Sequence, residues 1–273
     1  MNSKSLLSTG HYSPEWVQAF YIQAAKWWGP EVNGLEAGRV TTLERLCGPG
    51  PKRILELGAG AGLTAALMAD QGHQVVAVEF SPVYADYARA HLKTPRSGQL
   101  EIIEADFYTV ELNGQFDVVC YWDGFGVSSD AEHRRLLHRI ADQWLTPAGC
   151  VLMDVFSPFR PIRDAGTEIQ LDPLADVPDS VAMLRRCRFD PLFSRWIDEW
   201  QPVAAPENAQ AQTLRCYTPA DFILLLDGTG LTLQRLEVEE QAIDWTADTV
   251  ITAGPLTGAW TYLVQLAHDQ ARK

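Results

Sequence analysis

The chain has 273 residues, 47% of them hydrophobic and 21% charged, enough apolar material to bury a sizeable core without a metal or disulfide to hold it. Its net charge is −13 and no basic stripe is present, which argues against nucleic acid as a partner and against an anionic membrane surface. The cysteines Cys47, Cys120, Cys150, Cys187 and Cys216 are odd in number, widely spaced and free of any CxxC; with no apolar leader and no bilayer-length run, the pattern suits unpaired thiols and a cytoplasmic location.

Ser13-Pro14-Glu15 offers an N-cap followed by proline at the first helical position, and Gly29-Pro30 stops the helix it starts. A second short helix is expected over 37–46, ended by the breaker cluster at 47–51. An alternation follows. RILEL reads as a strand, then a glycine loop and a helix; QVVAVEF is a strand, and SPVYADYARAHLK a helix with Ser81 as cap. LEIIEADF and FDVVCYW are strands, DAEHRRLLHRIADQW is an amphipathic helix, and CVLMDVF is a fifth strand. Near-continuous apolar strands separated by helices predict a parallel sheet covered on both faces. Between 157 and 217 prolines multiply and period-two stretches such as SVAMLRRCRFD and SRWIDEWQPV appear, the pattern of an inserted antiparallel flap. Thr218-Pro219 then opens a helix, and LTLQRLEVEE and AWTYLVQLAHD read as two final strands.

The expected fold is therefore α/β: a doubly wound, mostly parallel sheet with a C-terminal antiparallel strand pair, an N-terminal helical segment and an antiparallel flap insertion. The expected organisation is one domain over 1–273, divided into a helical cap (1–50), a cofactor-binding core (51–156), a flap (157–217) and a C-terminal helix with strands (218–273).

The strongest chemical signal is Glu56-Leu57-Gly58-Ala59-Gly60-Ala61-Gly62, set directly between a strand and a helix. Glycines there allow a sharp turn and close approach to a ligand, and the following helix offers free N–H groups. Two cofactors suit such a loop. The stretch from Gly60 formally matches the dinucleotide pattern GxGxx(G/A), with Glu79 ending the next strand. A carboxylate at Glu56, however, would repel a pyrophosphate.

RILELGAGAG also resembles motif I of the class I (Rossmann-like) S-adenosylmethionine-dependent methyltransferases, and the likeness continues in order from about Arg53 to Phe156. The resemblance implies S-adenosyl-L-methionine as cofactor. It carries Glu56, Gly58, Ala59, Gly60 and Gly62 onto the methionine and ribose part, Glu79 with Phe80 onto the ribose, and Asp106 with Phe107 onto the adenine. Tyr121 borders both cofactor and acceptor. Arg39 stands where some members hold the methionine carboxylate with a bidentate fork. The tetrapeptide (N/D)PP(Y/F) of enzymes that methylate nucleic-acid bases is replaced here by YWDG, so the acceptor implied is a small molecule.

For the acceptor side, Trp28, Trp122, Trp196 and Trp200 are candidate walls; Trp27 falls in the same category. Trp196 and Trp200 lie four apart, on one face of a flap strand. Asp123 and His133 follow the fourth strand closely enough to be acid or base candidates, and Tyr12 and Tyr21 are placed to close over the cofactor. His133 and His138 stand five apart, no histidine spacing fits a metal, and neither a GxSxG elbow nor a P-loop occurs. The reaction expected is in-line methyl transfer to nitrogen or oxygen, less readily carbon, of an aromatic or apolar molecule. The rivals are an NAD-dependent oxidoreductase and a non-methylating protein that binds the same cofactor. Oligomeric state is open, a homodimer included.

Overall fold

Five apolar segments that alternate with helices have one economical solution, a parallel sheet buried on both faces. The computed structural model, which describes residues 14–30, 34–175, 177, 180–245 and 254–269, adopts it. Strands β1 (Arg53–Leu57), β2 (Gln74–Glu79), β3 (Gln99–Glu104), β4 (Phe116–Phe125) and β5 (Leu145–Phe156) run parallel. Near the C-terminus, β10 (Leu231–Val238), β11 (Gln241–Ala242) and β12 (Thr261–His268) pair antiparallel onto β5. The strand order is β11-β10-β12-β5-β4-β1-β2-β3. It reverses direction of travel at β1, beside β4, and in such sheets ligands bind beyond the carboxyl ends of the strands at that point.

Helices α1 (Pro14–Trp28), α2 (Glu36–Cys47), α3 (Leu63–Asp70), α4 (Pro82–Ala90), α5 (Asp130–Arg139) and α7 (Pro219–Leu226) surround the sheet. α4 begins with Pro82, as the proline at its start predicts, and α7 carries a reciprocal box in which Thr218 and Asp221 cap one another. Two apolar layers result. One packs Leu55, Val119, Phe125 and Trp144 against Phe222; the other packs Ile54, Met68, Val75 and Cys120 against Leu43.

The segment after β5 folds as anticipated into a second sheet. Its four antiparallel strands, β6 (Glu168–Leu171), β7 (Met183–Asp190), β8 (Arg195–Pro202) and β9 (Gln210–Arg215), follow one another in order after a short helix α6 (Phe159–Asp164). β6, β9 and α6 carry no period strong enough to be seen in the sequence. The flap is fastened to the core through a third apolar cluster of Val17, Val127, Phe156, Trp196, Leu214 and Cys216. Arg195, only 7% exposed, reinforces the joint by donating to the backbone carbonyls of Gly126, Val127, Ser128 and Thr213.

One sequence expectation is corrected here. Cys47 and Cys150, taken as unpaired, are joined as a disulfide across 103 residues, while Cys120, Cys187 and Cys216 are free and buried. The C-terminal end of α2 packs beside β5, so the fold rather than any motif brings the two sulfurs together.

Candidate active site

Three strand tips and the loops after them converge on one cleft of about 200 Å³. β1 ends in the glycine loop, where Gly58, Gly60 and Gly62 all have φ between 55° and 75°. Space and backbone shape separate their roles. A Cβ at Gly62 would come within 2.7 Å of the Ala88 side chain, so this glycine lets α3 and α4 pack closely; a Cβ at Gly60 would meet nothing within 4 Å. Gly60 thus combines a left-handed backbone with room above it, and the carboxylate of Glu79 receives its N–H at 2.8 Å.

Glu79 is buried at the end of β2, and its second oxygen accepts the Ser81 N–H at 2.7 Å. Burial pushes its carboxyl up, while the Ser81, Gly60 and Phe80 amides pull it back down. Glu56 is more isolated. It is 2% exposed, the Ala65 N–H donates to its carboxylate, and Oε2 has no partner among the described residues. Burial drives its carboxyl to about 8, against the opposing charge of Arg39. A buried polar atom left unpaired is costly, and this one faces a cleft. After β3, Asp106 turns back to accept the Tyr108 N–H at 2.8 Å and borders the cleft together with Phe107.

The same cleft is lined by Gly58, Ala59, Gly60, Gly62, Phe80, Arg39 and Tyr121, so the cofactor residues predicted from the sequence come together. Trp122, expected on the acceptor side, lines this cleft and not the larger cavity that holds the other candidate tryptophans. It is 6% exposed, with the Arg39 guanidinium 5.9 Å from the centre of its ring. The strand-tip motifs do not foresee Glu36 at the start of α2, Gln18 of α1, Tyr84 of α4 or Ser128, which complete the wall. Ser128 sits in the β4–α5 connection and the other three on helices, and only Gln18 and Glu36 carry a sequence hint, by falling within the helical cap expected over 1–50.

A second, larger cavity of about 1130 Å³ opens beside the first. Trp27, Trp28, Trp196 and Trp200 all border it, joined by Trp260 from the C-terminal segment. The rings form a connected wall: Trp28 meets Trp200 at 4.7 Å between centroids, and Trp196 meets Trp260 at 4.5 Å. On β8 the face that presents Trp196 and Trp200 also presents Asp198, which is 1% exposed. Asp198 accepts from Arg185 at 2.7 and 3.1 Å, from Trp200 Nε1 at 2.8 Å and from Gln212 at 3.1 Å. Arg185 in turn lies over the faces of Trp196 and Trp200.

Tyr21, Pro30 and Asp123 border both spaces. Asp123 owes its place to a bulge. β4 and β5 lose register between Tyr121 and Phe125, which puts three residues of β4 (122–124) against one of β5 (154). The Tyr121 hydroxyl donates to the Gly124 carbonyl and closes the loop on itself, with Asp123 at φ 52°, in the left-handed region. Asp123 is exposed to the cavity, and the protein crowded around that opening desolvates its carboxyl and pushes it up, with Arg39 and Arg185 opposing and Asp198 reinforcing the rise. Its own N–H donates to Asp154, which burial raises to about 6.

His133, expected near the chemistry, is not there. It is 1% exposed, stacked on Phe125 and hydrogen-bonded through Nδ1 to the Tyr217 hydroxyl at 2.8 Å, and it lines neither the cleft nor the larger cavity. Burial and Arg195 hold it to about 3. The amphipathic period of α5 turns it inward, so it serves packing. Tyr12 lies outside the described residues. Among those residues no cluster of three or more metal-ligating side chains occurs and no helix is long and apolar enough to cross a membrane.

Residues 54–149 match a family described as a methyltransferase domain. The chain is 33% identical over 112 residues to a ubiquinone biosynthesis O-methyltransferase of Thiobacillus denitrificans, an alignment covering 38% of this chain and 47% of the relative. It thus spans about half the length of the curated relatives it matches. Among solved structures it is similar to the CcbJ methyltransferase from Streptomyces caelestis, at 20% identity and TM-score 0.66, over 88% of this chain and 91% of that one. It is also similar to the sugar N-methyltransferase KedS8 from Streptoalloteichus, at 18% identity and TM-score 0.60, over 98% of each chain. At these identities the solved structures share the fold, including an element set that extends beyond residue 149.

Proposed function

We propose, from the match of residues 54–149 to a methyltransferase domain family, that the chain transfers the methyl group of S-adenosylmethionine to a nitrogen or oxygen of a small, aromatic or apolar molecule. The observation that carries the reading is the convergence of Glu56, Glu79 and Asp106, from three successive strands, on the cleft walled by the glycine loop. The buried, unpartnered Oε2 of Glu56 fits the amino group of the cofactor's methionine end, and Arg39 beside it fits the carboxylate. The open face of Gly60 leaves room for the ribose to approach Glu79, whose oxygens keep lone-pair capacity beyond the amides they already accept. Asp106 and Phe107 are placed for the adenine amino group and ring. A dinucleotide fits this set poorly, because its pyrophosphate would face the Glu56 carboxylate.

When bound, the cofactor supplies an electrophilic methyl group on a sulfonium. The residues then have a positioning task, which is where most of the acceleration in such a displacement comes from. Tyr21 and Pro30 close the junction between cleft and cavity, Tyr121 walls the cleft alone, the tryptophan wall orients the acceptor, and the flap and α1 exclude water from both. We assign 157–217 to the acceptor roof of a single domain rather than to an independent unit, since its third apolar cluster is shared with α1 and β5.

Calorimetric titration tests the cofactor half directly. S-adenosylhomocysteine should bind and raise the melting temperature, by about 2.7 kcal/mol of stabilisation at 100 times its dissociation constant, whereas NAD should not. Stabilisation by NAD alone would transfer the chain to the oxidoreductases. Release of S-adenosylhomocysteine during turnover then separates an enzyme from a cofactor-binding scaffold.

A further inference from the structure

The larger cavity is not neutral in its chemistry, and its charges are unequally satisfied. Two cations face it. Arg185 is spent on Asp198 and on the faces of Trp196 and Trp200. Arg160 is paired with Asp164 and lies over Trp260. Asp198, likewise, already accepts from three side chains. Asp123 is different: among the described residues no side chain or amide donates to its carboxylate, although it borders both the cavity and the cofactor cleft. The protein holds it there at φ 52° on a two-strand bulge, a conformation that costs free energy and persists where the surroundings enforce it.

Resting on the methyltransferase reading above, we propose that the acceptor is a primary or secondary amine carried on a flat apolar group, with the amine nitrogen held by Asp123 at the junction and the apolar group lodged against Trp28 and Trp200. An ammonium answers an unpaired carboxylate in a walled site, and the electron-rich ring faces nearby favour the same charge. A carboxylate acceptor would meet the unneutralised Asp123, and no cation stands free on this cavity among the described residues to receive it. A neutral hydroxyl would leave the Asp123 carboxylate to water and to the distant charges of Arg39 and Arg185, with no direct partner. The proton balance agrees. The ammonium gives one proton to the Asp123 carboxylate, which burial makes a better base than an exposed aspartate. The freed lone pair forms the new N–C bond while the C–S bond breaks and its electron pair stays on sulfur. The product leaves as a methylated ammonium, opposite the protonated Asp123 until that proton passes to water.

Matched probes test this on the S-adenosylhomocysteine-loaded protein. Phenethylamine, 2-phenylethanol and 3-phenylpropionate present the same ring with three head groups, and their affinities are read by calorimetry. The amine should bind at least tenfold more tightly than the alcohol, and the acid should not saturate. In Asp123→Asn, a replacement that keeps the size and tolerates the left-handed backbone, the amine's advantage should collapse to less than threefold. Equal binding of alcohol and amine, saturation by the acid, binding of none of the three, or an amine preference that survives in Asp123→Asn each overturns the assignment. Binding of S-adenosylhomocysteine is measured first in both proteins. If the native chain binds it and the head-group order fails, only the amine proposal falls; if the native chain does not bind it, the methyltransferase reading falls instead.

Discussion

The two halves of the site are built by different means. The cofactor cleft is made at strand tips, each polar residue lying within a few positions of the glycine, proline or strand end that places it: Glu56 two residues before Gly58, Glu79 two before Ser81, Asp106 two after Glu104. The larger cavity, proposed above for the acceptor, is assembled from distant pieces, with Trp28 from α1, Asp123 from a bulge, Trp196 and Trp200 from the flap and Trp260 from the segment before β12. Local construction makes the first half rigid and hard to alter without losing the ligand. Long-range construction makes the second half replaceable, with pieces that can change without touching the sheet.

That contrast can be broken at the joint between the halves. Arg195→Met removes the donors to four backbone carbonyls at once and should lower stability by about 3 kcal/mol, read as a fall in melting temperature of several degrees. It should weaken both ligands together, because the 126–128 backbone borders the cofactor cleft while β8 carries the tryptophans. A variant that loses acceptor binding alone would show the halves to be uncoupled. Glu79→Ala should act on one half only. With the Gly60 and Ser81 amides orphaned, S-adenosylhomocysteine affinity should drop on the order of a hundredfold, and unchanged affinity would remove Glu79 from the site. Trp200→Ala is the counterpart on the other half, with an acceptor affinity loss of roughly tenfold and cofactor affinity within threefold of native; an equal loss of both would mean that the wall is structural.

The smallest effect expected is a change in the pH dependence of stability. Glu56 sits at about 8 in the folded chain against an ordinary 4.5. Below pH 4.5 both states carry its proton. Between 4.5 and 8 the unfolded chain releases a proton that the folded one keeps, so stability is lost as pH rises through that window. His133, held to about 3 against 6.5, works the other way and costs stability as pH falls below 6.5. The difference between native and Glu56→Gln melting curves isolates the first effect: the variant should gain on the native protein, by a few degrees, as pH climbs from 5 to 8. A pH-independent difference would place Glu56 in an ordinary solvated environment.

The parallel sheet was legible because burial on both faces leaves continuous apolar runs, and the flap was visible wherever alternation exceeded a few residues, as in β7 and β8. The short β6, β9 and α6 carry too few residues for any period to show. The errors have a common cause. His133 is close to Asp123 in sequence, but a helix turn sends it into the core, where it meets Tyr217, 84 residues away. Trp122 and Asp123 are adjacent, yet strand alternation and a bulge send one to the cofactor and the other to the junction. The disulfide joins residues 103 apart.

What the sequence determined alone was everything that depends on neighbours along the chain: the strand and helix order, the turns that only glycine can make, and the carboxylates that end successive strands. The tertiary structure alone decided which side chains share a space, because that follows from how sheet, flap and α1 are stacked. Charge satisfaction belongs to the same level: Asp198 and Asp123 are the same residue type, and only folding gives one of them Arg185, Trp200 and Gln212 and leaves the other facing the cavity.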